Sequence, residues 1–137
     1  MNVILSIKPR FVAEIVAGRK TYEYRKRIFK EKVERVYVYA SNPVCRIIGE
    51  FSLGDVLIDQ PSRIWLRTCD KSGITKDYFD KYYMDKGIAY ALEIKKFQLY
   101  DDPINPNDLI EKFTPPQSYC YVRDNLFYQN KKRLCQD

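Results

Sequence analysis

The chain has 137 residues, 45% of them hydrophobic, which suits one domain with an ordinary core. Histidine is absent, which excludes imidazole acid–base chemistry and leaves any such work to Lys, Tyr, Glu, Asp or Cys. The formal net charge of +6 biases the surface toward polyanions, and four widely spaced cysteines without a C-x-x-C pair argue against zinc. Cys45, Cys69, Cys120 and Cys135 read instead as reduced, buried thiols of a cytoplasmic protein.

Val3 to Ile7 predicts a first strand, too short for a signal core or a membrane span. Pro9 suits the first turn of a helix on which Phe11, Val12, Ile15 and Val16 recur at helical spacing. Gly18 then ends that helix. Thr21 to Lys26 has strand propensity. Val36, Val38 and Ala40 alternate with Tyr37 and Tyr39 as a strand closed by the Ser41-Asn42-Pro43 turn. Arg46 to Leu57 continues the sheet, with Gly49 and Gly54 marking bends.

Pro61 to Thr68 predicts a short helix. Thr75 caps another, in which Tyr78 pairs with Tyr82 and Phe79 with Tyr83, and Gly87 stops it. Ile88 to Ile94 alternates as a strand. Its apolar parity switches at Phe97 and Leu99, as a bulge near Lys95-Lys96 would produce. A short helix from Asn105 to Phe113, a rigid Thr114–Ser118 loop and a strand at Tyr119–Arg123 complete the domain. Residues 122–137 form an expected peripheral tail.

Residues 18–27, GRKTYEYRKR, gather five basic residues around one carboxylate, Glu23. In a strict strand Thr21, Glu23 and Arg25 share one face, and Lys20, Tyr22 and Tyr24 the other. Lys20 joins Glu23 and Arg25 only if it belongs to the turn and the strand starts later. If the three converge, Arg25 offers a planar fork to a phosphate or carboxylate and Lys20 a second positive charge. Glu23 can then accept from the exocyclic amine of a base. The competing reading is an internal Glu23–Arg25 ion pair; on the surface it would contribute only ~0–1 kcal/mol.

Gly18-x-Lys20-x-x-Glu23-x-Arg25 resembles the G-x-K-x-x-E-x-R pattern of the ASCH domains of the PUA-like superfamily. The flanks are similar too: Ile7-Lys8-Pro9 before the helix, Tyr39-Ala40-Ser41-Asn42-Pro43 before Ile48-Gly49-Glu50, and the late Pro115-Pro116-Gln117-Ser118-Tyr119. The resemblance covers most of residues 3–122. It implies an α+β fold, a PUA-like β pseudobarrel of about five or six strands with short flanking helices, as a single domain over residues 1–137. It further implies RNA or nucleotide-like ligand binding in a basic cleft beside the motif, with Lys20 and Arg25 on anionic groups.

The expected ligand-binding set is Lys8, Gly18, Lys20, Glu23, Arg25, Tyr39, Ser41, Trp65, Gln117, Ser118 and Tyr119. Tyr39, Trp65 and Tyr119 are the stacking candidates; for Trp65 a core position is the competing reading. One bacterial branch of the family is an amidohydrolase that deacetylates acetylated cytidine through a Lys, a Thr and a later Glu. The Lys matches Lys20, Glu23 stands at the Thr position, and the later Glu falls near Lys71-Ser72-Gly73, which has no carboxylate. As an enzyme the chain would use Lys20 and Glu23. A regulatory module holding a small effector is a further alternative. No cofactor, metal or membrane partner is expected.

Overall fold

Strand alternation places apolar side chains on both faces of the central sheet. In Asn2–Ile7 (β1) and Arg35–Ala40 (β3), Val3, Leu5, Ile7, Val36, Val38 and Ala40 turn to one side, while Ile4, Tyr37 and Tyr39 turn to the other. Both sides are buried, as parallel neighbours require, and the register runs from Asn2↔Arg35 to Ile7↔Ala40. The computed structural model describes residues 1–110, 113–116 and 119–122.

Pro9–Val16 (α1) makes the crossover and buries Val12 and Ile15 against the sheet. The remaining elements are Tyr22–Arg25 (β2), Arg46–Asp59 (β4), Pro61–Thr68 (α2), Lys76–Tyr82 (α3), Ala89–Ile104 (β5) and Tyr119–Val122 (β6). Short 3-10 turns lie at Cys69–Lys71 and Pro106–Asp108. The sheet order is β2-β5-β4-β3-β1-β6; β1–β3 is parallel and every other pair antiparallel.

β4 and β5 are long enough to curl this sheet into a half-barrel, and their bends fall where the sequence marks them. Between Glu50↔Gln98 and Ser52↔Lys95 the register slips by one residue, and Lys96 there has φ 54°. Gly49 lies so close under β5 that an added Cβ would stand 2.5 Å from the Gln98 carbonyl oxygen.

The curl leaves a gap between edge strand β2 and the β1–β6 side. Arg25 crosses it, donating from Nη1 to the Ser6 carbonyl at 3.2 Å. The β2–β3 loop covers it further along: Tyr121 Oη accepts from the Lys30 and Glu31 backbone N–H groups at 2.8 and 3.0 Å. α2 and α3 pack outside β2 and β5 on an aromatic cluster of Tyr24, Phe79 and Tyr83, and small Ala89 and Ala91 leave room for these rings. Among the described residues no helix is long and apolar enough to cross a membrane.

Thr75 caps α3 as expected, its Oγ1 accepting from Tyr78 N at 3.1 Å. The helix ends at Tyr82, before Gly87; the left-handed residue after it is Asp85, at φ 62°. The expected helix through Phe113 is shorter, a 3-10 turn at Pro106–Asp108. Arg123 and all but the first residue of the expected tail lie outside the described residues.

Candidate functional site

Gly18, at φ +79°, reverses the chain after α1, and the Arg19 and Lys20 N–H groups both bond the Glu14 carbonyl at 3.1 Å. Lys20 then makes an isolated bridge to Ser72, and Thr21 N donates to the Lys71 carbonyl at 3.0 Å. Regular pairing with β5 starts only at Tyr22. Lys20 therefore escapes strand alternation, and its side chain turns to Glu23 rather than away from it.

The Lys20 ammonium donates to the Ser72 carbonyl at 2.9 Å and lies 3.7 Å from Glu23 Oε1. It faces the Tyr24 ring at 4.8 Å and the Phe11 ring at 5.5 Å. Lys20 is 1% exposed and Glu23 6%. A buried ammonium is costly unless compensated, and here a carbonyl, a carboxylate and two ring faces share that task. Burial still pushes Lys20 below the ordinary lysine range. Glu23 opposes this shift, and the nearby positive charge of Arg25 adds to it.

Neighbouring groups fix the floor. Thr68 gives its one hydroxyl proton to the Ile64 carbonyl at 2.7 Å, so in the 2.7 Å bond between them Tyr24 is the donor. Burial raises the Tyr24 hydroxyl to about 12, so it is a neutral wall near pH 7. Gly73, at φ +65°, passes under Lys20; an added Cβ would stand 2.5 Å from Lys20 Cβ. Gly73→Ala will therefore lower unfolding free energy by about 1–2 kcal/mol from the left-handed backbone alone, with the displaced lysine adding to it. Urea denaturation reads this loss; an unchanged midpoint contradicts it.

Above this floor is a cavity of about 450 Å³ at the open edge of the half-barrel. β1 contributes Ser6 and Ile7, and β2 contributes Glu23, Tyr24 and Arg25. Among the described residues of the lining, Lys8, Lys20 and Arg25 face a single carboxylate, Glu23, which makes that lining net positive. Phe11, Tyr39, Tyr78 and Tyr82 supply flat walls. Ser6 Oγ donates to the Pro116 carbonyl at 2.9 Å and holds the Pro115-Pro116 loop over one side.

Of the residues singled out in the sequence, Lys8, Lys20, Glu23, Arg25, Tyr39 and Ser41 line this cavity. Gly18 does not; it serves the turn that delivers Lys20. Trp65 packs on Phe79, with ring centres 4.9 Å apart, and borders a separate hollow beside α2. Tyr119 packs edge-on against Phe29 at 4.8 Å, because strand alternation turns it to the covered gap. Gln117 and Ser118 lie outside the described residues. Lys20 is a buried floor group, whereas Arg25 is half-buried and Lys8 exposed, nearer the mouth.

Sequence reasoning missed Phe11, Tyr24, Tyr78 and Tyr82 as walls, and Ser72 and Gly73 as supports. The α3 aromatics divide by face: Phe79 and Tyr83 are 1% and 3% exposed and belong to the core, while half-buried Tyr78 and Tyr82 look into the cavity. Among the described residues no cluster of His, Cys, Asp or Glu could hold a metal ion.

The ASCH domain family model matches residues 5–98, a span that contains the whole floor. The chain belongs to the ASCH domain family. A Zymomonas mobilis protein named ASCH domain-containing ribonuclease is 30% identical over 126 residues, covering 89% of this chain and 84% of its own length. The crystal structure of ASCH from Zymomonas mobilis superposes with a TM-score of 0.88 at 26% identity, over 97% of this chain and 94% of that one. The large ribosomal subunit protein uL22 of Ureaplasma parvum is 42% identical over 80 residues, 58% of this ASCH chain but only 25% of that protein.

Proposed function

We propose that this ASCH domain binds single-stranded RNA by admitting one nucleotide to the cleft. The observation that carries the reading is the Lys20–Glu23 pair at the floor of a 450 Å³ aromatic-walled cavity. Such a volume suits a single nucleotide rather than a length of strand. An ammonium beside a carboxylate matches a base edge with a ring nitrogen beside an exocyclic amine, as in cytosine or adenine. Arg25 and Lys8, nearer the mouth, meet the phosphate. Tyr39, Tyr78 and Tyr82 stack on the base.

Fluorescence anisotropy with a short labelled single-stranded RNA tests this. Binding is expected at low salt and weakens as salt rises, since phosphate contacts release counterions. No binding at low salt contradicts the reading.

RNA cleavage in the same cleft is a second reading, favoured by the relative named a ribonuclease. Glu23 would take the proton of a ribose 2′-hydroxyl as its oxygen attacks phosphorus. The bond from phosphorus to the 5′-oxygen would break, and the Lys20 ammonium would protonate that leaving oxygen. Gel analysis of RNA incubated with excess protein decides: intact RNA rejects cleavage. Deacetylation of acetylated cytidine is less well supported, because Glu23 replaces the threonine and a backbone carbonyl, from Ser72, holds Lys20.

A further inference from the structure

A smaller hollow of about 220 Å³ adjoins the cleft between α1 and the start of α3. Phe11, Ile74 and Tyr78 belong to the linings of both, so the partition is one side chain thick. Phe11 and Tyr78 meet edge to face at 5.0 Å and form the ridge. The Arg10 guanidinium stands 4.9 Å from both ring centres, and the Lys8 ammonium 5.4 Å from that of Tyr78. Both cations are exposed. The crest therefore carries positive charge, with a hollow on either side.

We propose that the smaller hollow holds the nucleotide adjoining the one in the cleft, with Tyr78 between the two bases and Arg10 on the phosphodiester that joins them. This rests on the RNA reading of the cleft. At 220 Å³ the hollow is below the size of most independent ligand pockets, and its shared wall makes it an extension of its neighbour. A strand crossing a ridge one ring thick lays a base on each side and its linking phosphate at the top. Arg10 is held there by the rings beneath it, and its planar fork suits a phosphodiester. At the far end Glu14, paired with Arg19 at 2.6 Å, and the Thr75 hydroxyl can meet a base edge. The Glu14 carboxylate also repels a phosphate, which keeps the linkage on the Arg10 side.

Calorimetric titration of cytidine 5′-monophosphate and of the dinucleotides pCpA and pApC tests the proposal; a 2′-deoxy 5′ sugar in each dinucleotide prevents cleavage. One dinucleotide is expected to bind about tenfold more tightly than the mononucleotide, within the range of a single base–aromatic stack. In Arg10→Ala that ratio falls to about three, since the stack on Tyr78 remains while the phosphodiester contact is lost, and Arg10→Lys keeps more of it. Arg10 is exposed, and thermal melting verifies that both variants fold. No dinucleotide gain in the wild type, or a ratio unchanged in Arg10→Ala, overturns the proposal while leaving the cleft reading intact. Failure of the mononucleotide and both dinucleotides to bind overturns both.

Discussion

Lys20→Met is expected to weaken RNA binding by about 2–3 kcal/mol, a factor of roughly 30 to 150 in Kd, because a charge-assisted hydrogen bond to the base is lost in a desolvated site. The same substitution destabilises the fold. Methionine fills much of the channel but leaves the Ser72 carbonyl without its donor and Glu23, 6% exposed, without its cation. Breaking a buried pair in this way costs about 3–5 kcal/mol. The double variant Lys20→Met/Glu23→Gln removes both charges and regains about 1–3 kcal/mol of the summed single losses in a urea double-mutant cycle. Additive losses would mean that the two groups are uncoupled.

The pH dependence of stability has a definite sign. The folded-state pKa of Lys20 lies below the ordinary lysine value, so between the two the unfolded chain binds more protons. Stability gains nothing from this group below its folded pKa, rises as pH climbs through it, and levels off above the ordinary value. Binding moves the opposite way over that window, since the neutral amine no longer supplies a charge. Comparison of wild type with Lys20→Met isolates both trends from the exposed lysines.

Phe79→Ala is expected to produce a loss of stability as large as that of Lys20→Met, by cavity formation rather than by charge. Phe79 is 1% exposed, and its ring centre lies 5.1, 4.9 and 4.8 Å from those of Tyr24, Trp65 and Tyr83. Deleting such a ring costs about 3–5 kcal/mol, a large part of the 5–15 kcal/mol that holds a typical domain. The damage extends to the cleft, because Tyr24 rests on Phe79 and the Lys20 ammonium faces Tyr24. Leu66, 78% exposed on α2, is the control: Leu66→Ala shifts stability by no more than about 0.5 kcal/mol. Thermal and urea unfolding of the two variants measure the contrast, and equal losses contradict it.

Local physics made much of the fold legible. Val36, Val38 and Ala40 announce a strand by parity, Pro9 and Thr75 mark helix starts, and the parity switch beyond Lys96 marks the bulge that bends β5. These signals act over a few residues, so they survive in the sequence alone. The orientation of Lys20 does not. It depends on a bridge to Ser72 and a bond to that residue's carbonyl, 52 positions away, which postpone the strand until Tyr22.

The aromatic walls were hidden for a related reason. Helical spacing separates Tyr78 and Tyr82 from Phe79 and Tyr83, yet only the packing of α3 against α1 and the sheet determines which pair faces the cavity. Trp65 was attractive because an indole stacks well on bases. The alternative reading, a packing position, is where α2 carries it.

The central claim is that the Lys20–Glu23 floor reads a base while Arg25, at the mouth, meets its phosphate. A crystal structure of the ASCH domain with a short single-stranded RNA tests this most directly. The account predicts one nucleotide in the cleft, its base edge within hydrogen-bond distance of Lys20 Nζ and Glu23 and its phosphate at Arg25. RNA bound on another face, with the cleft vacant, would contradict it.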